Sequence, residues 1–228
     1  MSTAESSAPR LQWSLIVPVK VLARAKTRLS AAAGPHREAL ALAVAADTVA
    51  AALRCDRVQS VIVVTDDPVP AAELAALGAT VVPDEPDAGL NPALVHGAQR
   101  SRAIAPHTGV GAISADLPAL RPGELARVLD AAAQVPAAFV PDAAGVGTTL
   151  YAARPGVPFS PSFGGDSRAA HRARGAGELL LDDIDSVRRD VDTLDDLKIA
   201  LKLGAGPRTT AVAARLPVLG DSMRTAPG

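Results

Sequence analysis

Short apolar segments alternate with alanine-rich helical segments from the start of the chain to Pro141, and this alternation restricts the fold more than any other feature. Several apolar segments are rich in β-branched residues and end at proline or aspartate, which is typical of strands. Apolar strands separated by helices predict a mostly parallel sheet with helices on both faces, an α/β fold. The predicted strands cover 15–17, 58–65, 79–82, 110–115 and 137–140, and the predicted helices cover 36–53, 71–77, 92–102 and 122–133.

The pattern changes after Pro141. Segment 142–191 is rich in glycine, proline and serine, with one strand-like and one helix-like stretch, and we predict an elaboration built on the sheet rather than a separate domain. A capping-box pattern at Thr193 then predicts a helix over 193–203. We expect a single domain over 11–215, with flexible termini at 1–10 and 216–228.

The composition excludes several classes of protein. The formal net charge is −1 and only five of the 228 residues are aromatic, so neither a basic face nor a stacking platform for nucleic acid is expected. The single cysteine, Cys55, excludes a disulfide framework and a cysteine-based metal site. The first residues lack the apolar core of a signal peptide, and no uncharged stretch is long enough to span a bilayer. We expect a soluble, cytoplasmic protein with neither a nucleic-acid nor a membrane partner.

Cations follow the first predicted strand, where ligands bind in open α/β sheets. Segment 18–30 contains four cations and no acidic residue, and Lys20, Lys26 and Arg28 are among them. Such a group can hold a triphosphate and neutralise the charge on leaving pyrophosphate. The segment contains neither a Walker P-loop nor a dinucleotide-binding glycine pattern, and the alternative is a solvated basic loop.

Aspartates occur at two further candidate positions. Asp116 closes an apolar strand, and a carboxylate there can hold Mg²⁺ that bridges nucleotide phosphates. Asp190 and Asp192 would project to one side if the chain is extended. The alternatives are an ordinary turn or helix-capping aspartate at 116, and an exposed Asp190 beside a residue that merely precedes a helix.

Glycines in 145–149 and 163–167 would let the backbone approach a ligand closely. The hydroxyls of Thr148 and Ser167 could donate hydrogen bonds to a carboxylate or phosphate, and Ser167 would lie at the start of a helix. Two ordinary turns with an N-cap serine are the alternative.

Gly89, Leu90 and Asn91 precede a predicted helix and could lie near a nucleotide base or ribose. A simple N-cap role for Asn91 would also explain the pattern.

Four of the five aromatic residues lie close together in the sequence. They could shape a small pocket beside the segment that leads to Ser167, or they could form a small local core. They are Phe139, Tyr151, Phe159 and Phe163.

Taken together, the motifs resemble a known family, the guanylyltransferases of coenzyme F420 biosynthesis, called CofC in archaea and FbiD in actinobacteria. The resemblance covers about residues 13–215 and implies a Rossmann-like nucleotidyltransferase fold of the glycosyltransferase-A type. It implies transfer of GMP from GTP to the phosphate of a three-carbon acid, with release of pyrophosphate. The motifs that carry it are VPVK at 17–20, AKTRLS at 25–30, GLN at 89–91, ADLPAL at 115–120, FGGDS at 163–167 and DVDT at 190–193.

The resemblance also implies the acceptor. Actinobacterial members use phosphoenolpyruvate and archaeal members 2-phospho-L-lactate, and the alanine- and arginine-rich composition favours the first. The implied phosphoenolpyruvate-binding residues are Thr148, Gly164 and Ser167, with Thr149 an alternative to Thr148.

The remaining expected roles are on the nucleotide side, where the resemblance implies the metal ligands and the residue chemistry above indicates the others. Lys20, Lys26, Arg28 and Asp116 form the expected catalytic group, and the expected Mg²⁺ ligands are Asp116, Asp190 and Asp192. The expected nucleotide-binding residues are Pro18, Lys20, Lys26, Gly89, Leu90 and Asn91. Because the attacking phosphate is already anionic, no strong general base is required, and none of the four histidines is identified as catalytic.

Two other classes of function remain open at this stage. A metal-dependent glycosyltransferase of the same fold would use a sugar nucleotide, and a non-catalytic module would bind GTP without turnover. The expected partners are GTP and one of the two acceptors, and a homodimer is compatible with the sequence.

Overall fold

The computed structural model describes residues 10–85 and 87–217, in which strands and helices alternate. The strands are β1 (Trp13–Pro18), β2 (Val58–Val64), β3 (Thr80–Val82), β4 (Gly109–Ile113), β5 (Ala137–Pro141), β6 (Thr148–Ala153) and β7 (Gly177–Glu178). The helices are α1 (Ser30–Ala33), α2 (Arg37–Leu53), α3 (Pro68–Ala76), α4 (Leu90–Ile104), α5 (Pro122–Ala132), α6 (Ser167–Ala173), α7 (Asp185–Arg188), α8 (Leu194–Leu203) and α9 (Pro207–Ala213). Short 3₁₀ turns at Leu22–Arg24, Thr27–Leu29 and Gly34–His36 connect β1 to the first helices.

The strands form one seven-stranded sheet in the order β3-β2-β1-β4-β6-β5-β7. β1 pairs in parallel with β2 and β4, β2 with β3, and β5 with β7. Only β6 runs antiparallel to its neighbours within the described part of the chain. The α/β fold class with a mostly parallel sheet is therefore confirmed.

The segment after Pro141 is more central than an elaboration on the sheet. It supplies β6, which lies between β4 and β5 and is buried along its whole length, and β7 at the edge. A short loop over 142–147 folds β6 back onto β5, and the apolar side chains of β6 then pack on both faces of the sheet. Local sequence patterns indicate that a strand exists but do not specify its place in the sheet, which is why this insertion was not predicted.

The alternation of side chains along β1 shows how the two faces are covered. Leu15 and Val17 pack under α2 and α5, whereas Ile16 faces α4 on the opposite side. Gly97 allows α4 to approach the sheet closely, because a Cβ atom there would lie 2.6 Å from Ile16 Cγ2 and 2.9 Å from Val64 Cγ2. This packing holds α4 against the carboxyl-terminal halves of β1 and β2.

The C-terminal helices pack on α2 and complete the fold. The predicted capping box is confirmed, since the Asp196 amide donates to Thr193 Oγ1 and the Asp196 carboxylate accepts from the Thr193 amide. Leu216, at the start of the expected flexible C-terminus, is buried against apolar side chains of α2, α8 and α9. Residues 1–9 and 218–228 of the expected flexible termini lie outside the described residues. None of the helices described is long and apolar enough to cross a membrane.

Candidate functional site

A cleft of about 380 Å³ opens beyond the carboxyl ends of β1 and β4. A smaller cavity of about 250 Å³ adjoins it, and Arg28 and Asp192 line both. Asp190 lines the smaller cavity. The predicted site residues that line the larger cleft are Pro18, Lys20, Lys26, Arg28, Leu90, Asp116 and Asp192. The predicted residues in neither lining are Gly89, Asn91, Thr148, Gly164 and Ser167.

Lys26 lies between two of the predicted metal-binding carboxylates. Its Nζ atom is 2.6 Å from Asp116 Oδ2 and 3.2 Å from Asp192 Oδ1, and its side chain is only 10% exposed. Burial by itself would lower the pKa of Lys26, but the carboxylates of Asp116 and Asp192 outweigh it and raise that pKa above its ordinary value. The ammonium group is therefore a fixed positive charge at the base of the cleft.

The backbone at Lys26 is in the left-handed region, with φ of 52°, and a helix side chain supports the loop before it. Arg37, at the start of α2, donates through Nη1 to the carbonyls of Leu22 and Ala25, and through Nη2 to that of Ala23. One guanidinium thus binds three carbonyls of the loop that presents Lys26. This role of Arg37 is not predictable from the sequence, because nothing in the local pattern distinguishes it from a surface arginine.

The other two predicted triphosphate-binding cations are more accessible. Lys20 is exposed at the mouth of the cleft, and the Arg28 side chain is 76% exposed with Nη1 3.6 Å from Asp192 Oδ2. Long, exposed side chains can rearrange around a bound anion at a small cost in free energy. The ammonium of Lys26, in contrast, is already paired with Asp116 and Asp192.

Backbone hydrogen bonds bring the aspartates of two distant segments together. The amide of Val191 donates to the Asp116 carbonyl at 3.0 Å, so Asp190 and Asp192 flank the strand-end residue. Thr48 of α2 fixes the same loop by accepting from the Leu117 amide at 3.0 Å. The sequence therefore identified carboxylates that do converge, although 190–192 is irregular backbone rather than a strand.

Asp190 carries the clearest electrostatic perturbation in the cluster. Burial and then the nearby carboxylates of Asp116 and Asp192 raise its pKa from 3.8 to about 7. Within the described chain, no three acidic, histidine or cysteine side chains lie close enough to hold a metal ion as they stand, and Lys26 occupies the space between Asp116 and Asp192. Yet Mg²⁺ needs only one or two carboxylates besides water and phosphate oxygens, so this donor set is chemically suited to it.

A β-bulge determines the direction of Thr148. Val140 pairs with Leu150 but the next residue, Pro141, pairs with Thr148, so Thr149 is an extra residue in β6. The bulge turns Thr148 toward the same face of the sheet as Tyr151. Thr149 is wholly buried and its hydroxyl has no hydrogen-bond partner in the described structure, whereas the hydroxyl of Thr148 has one.

Helix α6 and its preceding loop lie beside Thr148. Asp166, not Ser167, caps α6 by accepting from the Ala169 amide, so the N-cap alternative for Ser167 is wrong. Ser167 is buried in the first turn, and Gly164 has φ of 98°, a conformation that suits glycine. Arg168 ties this helix to the loop before β6 by donating to the Gly145 carbonyl at 2.8 Å.

Asn91 links helix α4 to the loop that precedes α6. Helix α4 begins at Leu90 with Gly89 as its N-cap, so Asn91 does not cap it. Its side-chain amide instead donates to the Phe163 carbonyl at 3.0 Å and accepts from the Phe163 amide at 2.8 Å. Asn91 therefore attaches the loop that carries Gly164 to the helix beside the cleft.

The surroundings of His171 are likewise not predictable from the sequence. It is fully buried in α6, and burial lowers its pKa from 6.5 to about 4. Its ring stacks on Tyr151 and Phe139, with centroids 4.8 and 5.4 Å away, and meets Phe163 edge-on at 5.5 Å. Three of the four aromatic residues predicted to border the acceptor segment thus surround a histidine, and the fourth, Phe159, packs on Tyr151.

Known proteins match both the sequence and the fold. A family model described as guanylyl transferase CofC like matches residues 13–216. The phosphoenolpyruvate guanylyltransferase of Thermomonospora curvata is 66% identical over 228 residues, which is 100% of both chains.

Two solved structures agree with the architecture at low sequence identity. One, from Desulfovibrio desulfuricans G20 and proposed to be a nucleotide-diphospho-sugar transferase, has a TM-score of 0.64 and 17% identity, covering 93% of this chain and 94% of that one. A nucleotidyl transferase from Methanothermobacter has a TM-score of 0.54 and 18% identity, covering 86% of this chain and 98% of its own. With the α/β nucleotidyltransferase fold, the converging charges and the match over 13–216, this chain belongs to the CofC-like guanylyl transferase family.

Proposed function

We propose that this enzyme transfers GMP from GTP to phosphoenolpyruvate in coenzyme F420 biosynthesis, giving enolpyruvoyl-2-diphospho-5'-guanosine and pyrophosphate. The observation that carries the proposal is 66% identity over the full length of a phosphoenolpyruvate guanylyltransferase. GTP and phosphoenolpyruvate are metabolites of the cytoplasm, and the proposal locates the enzyme there.

The proposed reaction is a substitution at phosphorus. An oxygen of the acceptor phosphate forms a bond to the α-phosphorus of GTP, and the bond from that phosphorus to the oxygen bridging to the β-phosphate breaks. The bonding electrons leave with pyrophosphate. Because the attacking oxygen is already anionic, the protein contributes position and positive charge rather than a general base.

The cations at the cleft support the triphosphate role. Lys20 and Arg28 are exposed at its mouth, where they can bind phosphate oxygens. Lys26 is held deeper by Asp116 and Asp192, and its ammonium contributes positive charge where pyrophosphate forms.

The carboxylates support a divalent cation. Asp116, Asp190 and Asp192 would hold Mg²⁺, which when bound neutralises phosphate charge and stabilises the leaving group. Asp116 and Asp192 already bind one cationic group, the ammonium of Lys26, and this supports their proposed role as cation ligands.

The remaining residues divide between the nucleoside and the acceptor. Pro18 and Leu90 line the cleft and are proposed to contact the nucleoside, with Gly89 and Asn91 shaping that side. Three residues that lie outside the linings of both cavities are proposed to bind the acceptor. They are Thr148, Gly164 and Ser167.

The test is pyrophosphate release from GTP and Mg²⁺ with phosphoenolpyruvate or 2-phospho-L-lactate in separate reactions. We expect release with phosphoenolpyruvate, and Asp116→Asn is expected to lower the rate by about a hundredfold or more. Asp182→Asn, at an exposed carboxylate, is the matched control and should leave the rate unchanged. Release with 2-phospho-L-lactate alone would reassign the acceptor, and no release with either compound would refute the proposal.

A further inference from the structure

The histidine in α6 has a defined tautomer. The backbone amide of Ser162 donates to His171 Nε2 at 2.9 Å, and an amide N–H can only donate. Nε2 must therefore carry the lone pair, and the ring proton is on Nδ1.

This tautomer determines what the Thr148 hydroxyl can do. Nδ1 is 3.1 Å from Thr148 Oγ1, so the imidazole donates and the hydroxyl oxygen accepts. The hydroxyl hydrogen of Thr148 is then directed away from His171 and is free to donate to another group. A threonine that must donate is suited to an anionic oxygen, as a phosphate or carboxylate presents.

The same ring connects the segments that carry all three proposed acceptor residues. His171 binds Thr148 through one nitrogen and the backbone amide of Ser162, two residues before Gly164, through the other. Ser167 lies one helical turn before it on α6. Stacking on Phe139 and Tyr151 removes the rotational freedom of the imidazole, so its two hydrogen bonds set the positions of its partners.

We propose that His171 is a positioning residue for the acceptor: it fixes the Thr148 hydroxyl as a hydrogen-bond donor and holds the loop that carries Gly164 beside it. The inference rests on the proposed function, because it assumes that Thr148 binds the phosphorylated three-carbon acid. His171 touches neither substrate in this role.

Two substitutions separate the two hydrogen bonds of the ring. Asparagine places its amide near the position of Nδ1 and can still donate to Thr148, whereas glutamine places its amide near Nε2 and can still accept from Ser162. We expect His171→Gln to raise the KM for phosphoenolpyruvate about tenfold, the size of one lost hydrogen bond to a charged group, with the KM for GTP unchanged. His171→Asn should raise it less. His107→Gln, at an exposed position, is the control.

A double-mutant cycle tests whether the effect passes through Thr148. In a Thr148→Val background, which has no hydroxyl to orient, His171→Gln should cause no further rise in the KM for phosphoenolpyruvate. Additive effects, or an equal rise in the KM values of both substrates, would overturn the inference. Wild-type protein without turnover of either acceptor would instead refute the proposed function, and the positioning role with it.

A measurement on the unsubstituted protein does not depend on whether the variants fold. Nitrogen-15 NMR of the imidazoles at pH 7 should show a neutral His171 protonated at Nδ1 and bare at Nε2. A proton on Nε2 would overturn the inference.

Discussion

Acidification from pH 7 to pH 5 is expected to cost this protein about 2 kcal/mol of unfolding free energy through His171. Burial lowers its pKa from 6.5 to about 4 in the folded state, while the unfolded chain keeps the ordinary value. Below pH 6.5 the unfolded state therefore binds a proton at this histidine that the folded state does not bind, and the free energy of unfolding falls. The loss levels off below about pH 4, where the folded state also becomes protonated.

Asp190 contributes with the opposite sign. Its folded pKa is raised from 3.8 to about 7, so between these values the folded state binds the extra proton and stability rises as the pH falls. The pH dependence of the wild-type protein alone is thus a sum of opposing contributions. A comparison with a variant that lacks only the histidine removes the Asp190 contribution.

The assay is urea unfolding of the wild type and His171→Gln, followed by circular dichroism at pH 7, 6 and 5 with EDTA present. The glutamine does not titrate, so the free-energy difference between the two proteins should shrink by about 2 kcal/mol across this range in favour of the variant. A difference that stays constant from pH 7 to pH 5 would refute the reasoning, because it would mean that His171 is not held neutral by its surroundings.

Two further substitutions test the support of the cleft. Arg37→Lys keeps the charge but cannot bind three carbonyls at once, so we expect the KM for GTP to rise about tenfold with the KM for phosphoenolpyruvate unchanged, and equal changes would contradict this role. Gly97→Ala forces a methyl group into side chains of β1 and β2 and should lower the unfolding free energy by about 1–3 kcal/mol in urea titrations. Gly123→Ala, with no atom within 4 Å of the added carbon, is the control and should not destabilise the protein.

Elements set by local chemistry could be predicted from the sequence. The apolar runs of β1, β2 and β4 and the capping box at Thr193 each depend on residues a few positions apart, and each is present in the structure. The central place of β6 was not predictable in this way, because it depends on which strands become neighbours after folding. The bulge at Thr148 follows from that pairing and could not be read from the segment alone.

The same distinction applies to the candidate site. Asp116, Asp190 and Asp192 were found because ligand sites in this class of fold follow strand ends, and backbone pairing does bring them together. That Lys26 would bind two of them was not predictable, because its partners lie 90 and 166 residues away in the chain. Arg37 and His171 were missed for the related reason that their partners are backbone groups or distant side chains, which leave no spacing motif.

The few aromatic residues near the proposed acceptor segment belong to the core and also hold a polar side chain in place. Two interpretations were open for them, a small local core or the wall of a pocket, and the structure shows why these need not exclude each other. Phe139, Tyr151 and Phe163 are packed together as core residues, yet the group they surround is an imidazole with both nitrogens hydrogen-bonded. Elsewhere the sheet is covered largely by alanine and short aliphatic side chains, which can fill space but cannot hold a flat polar ring in one orientation. The three rings around His171 therefore lie where an exact hydrogen-bond direction is needed, and replacing them with aliphatic residues of similar volume should loosen His171 before it unfolds the domain.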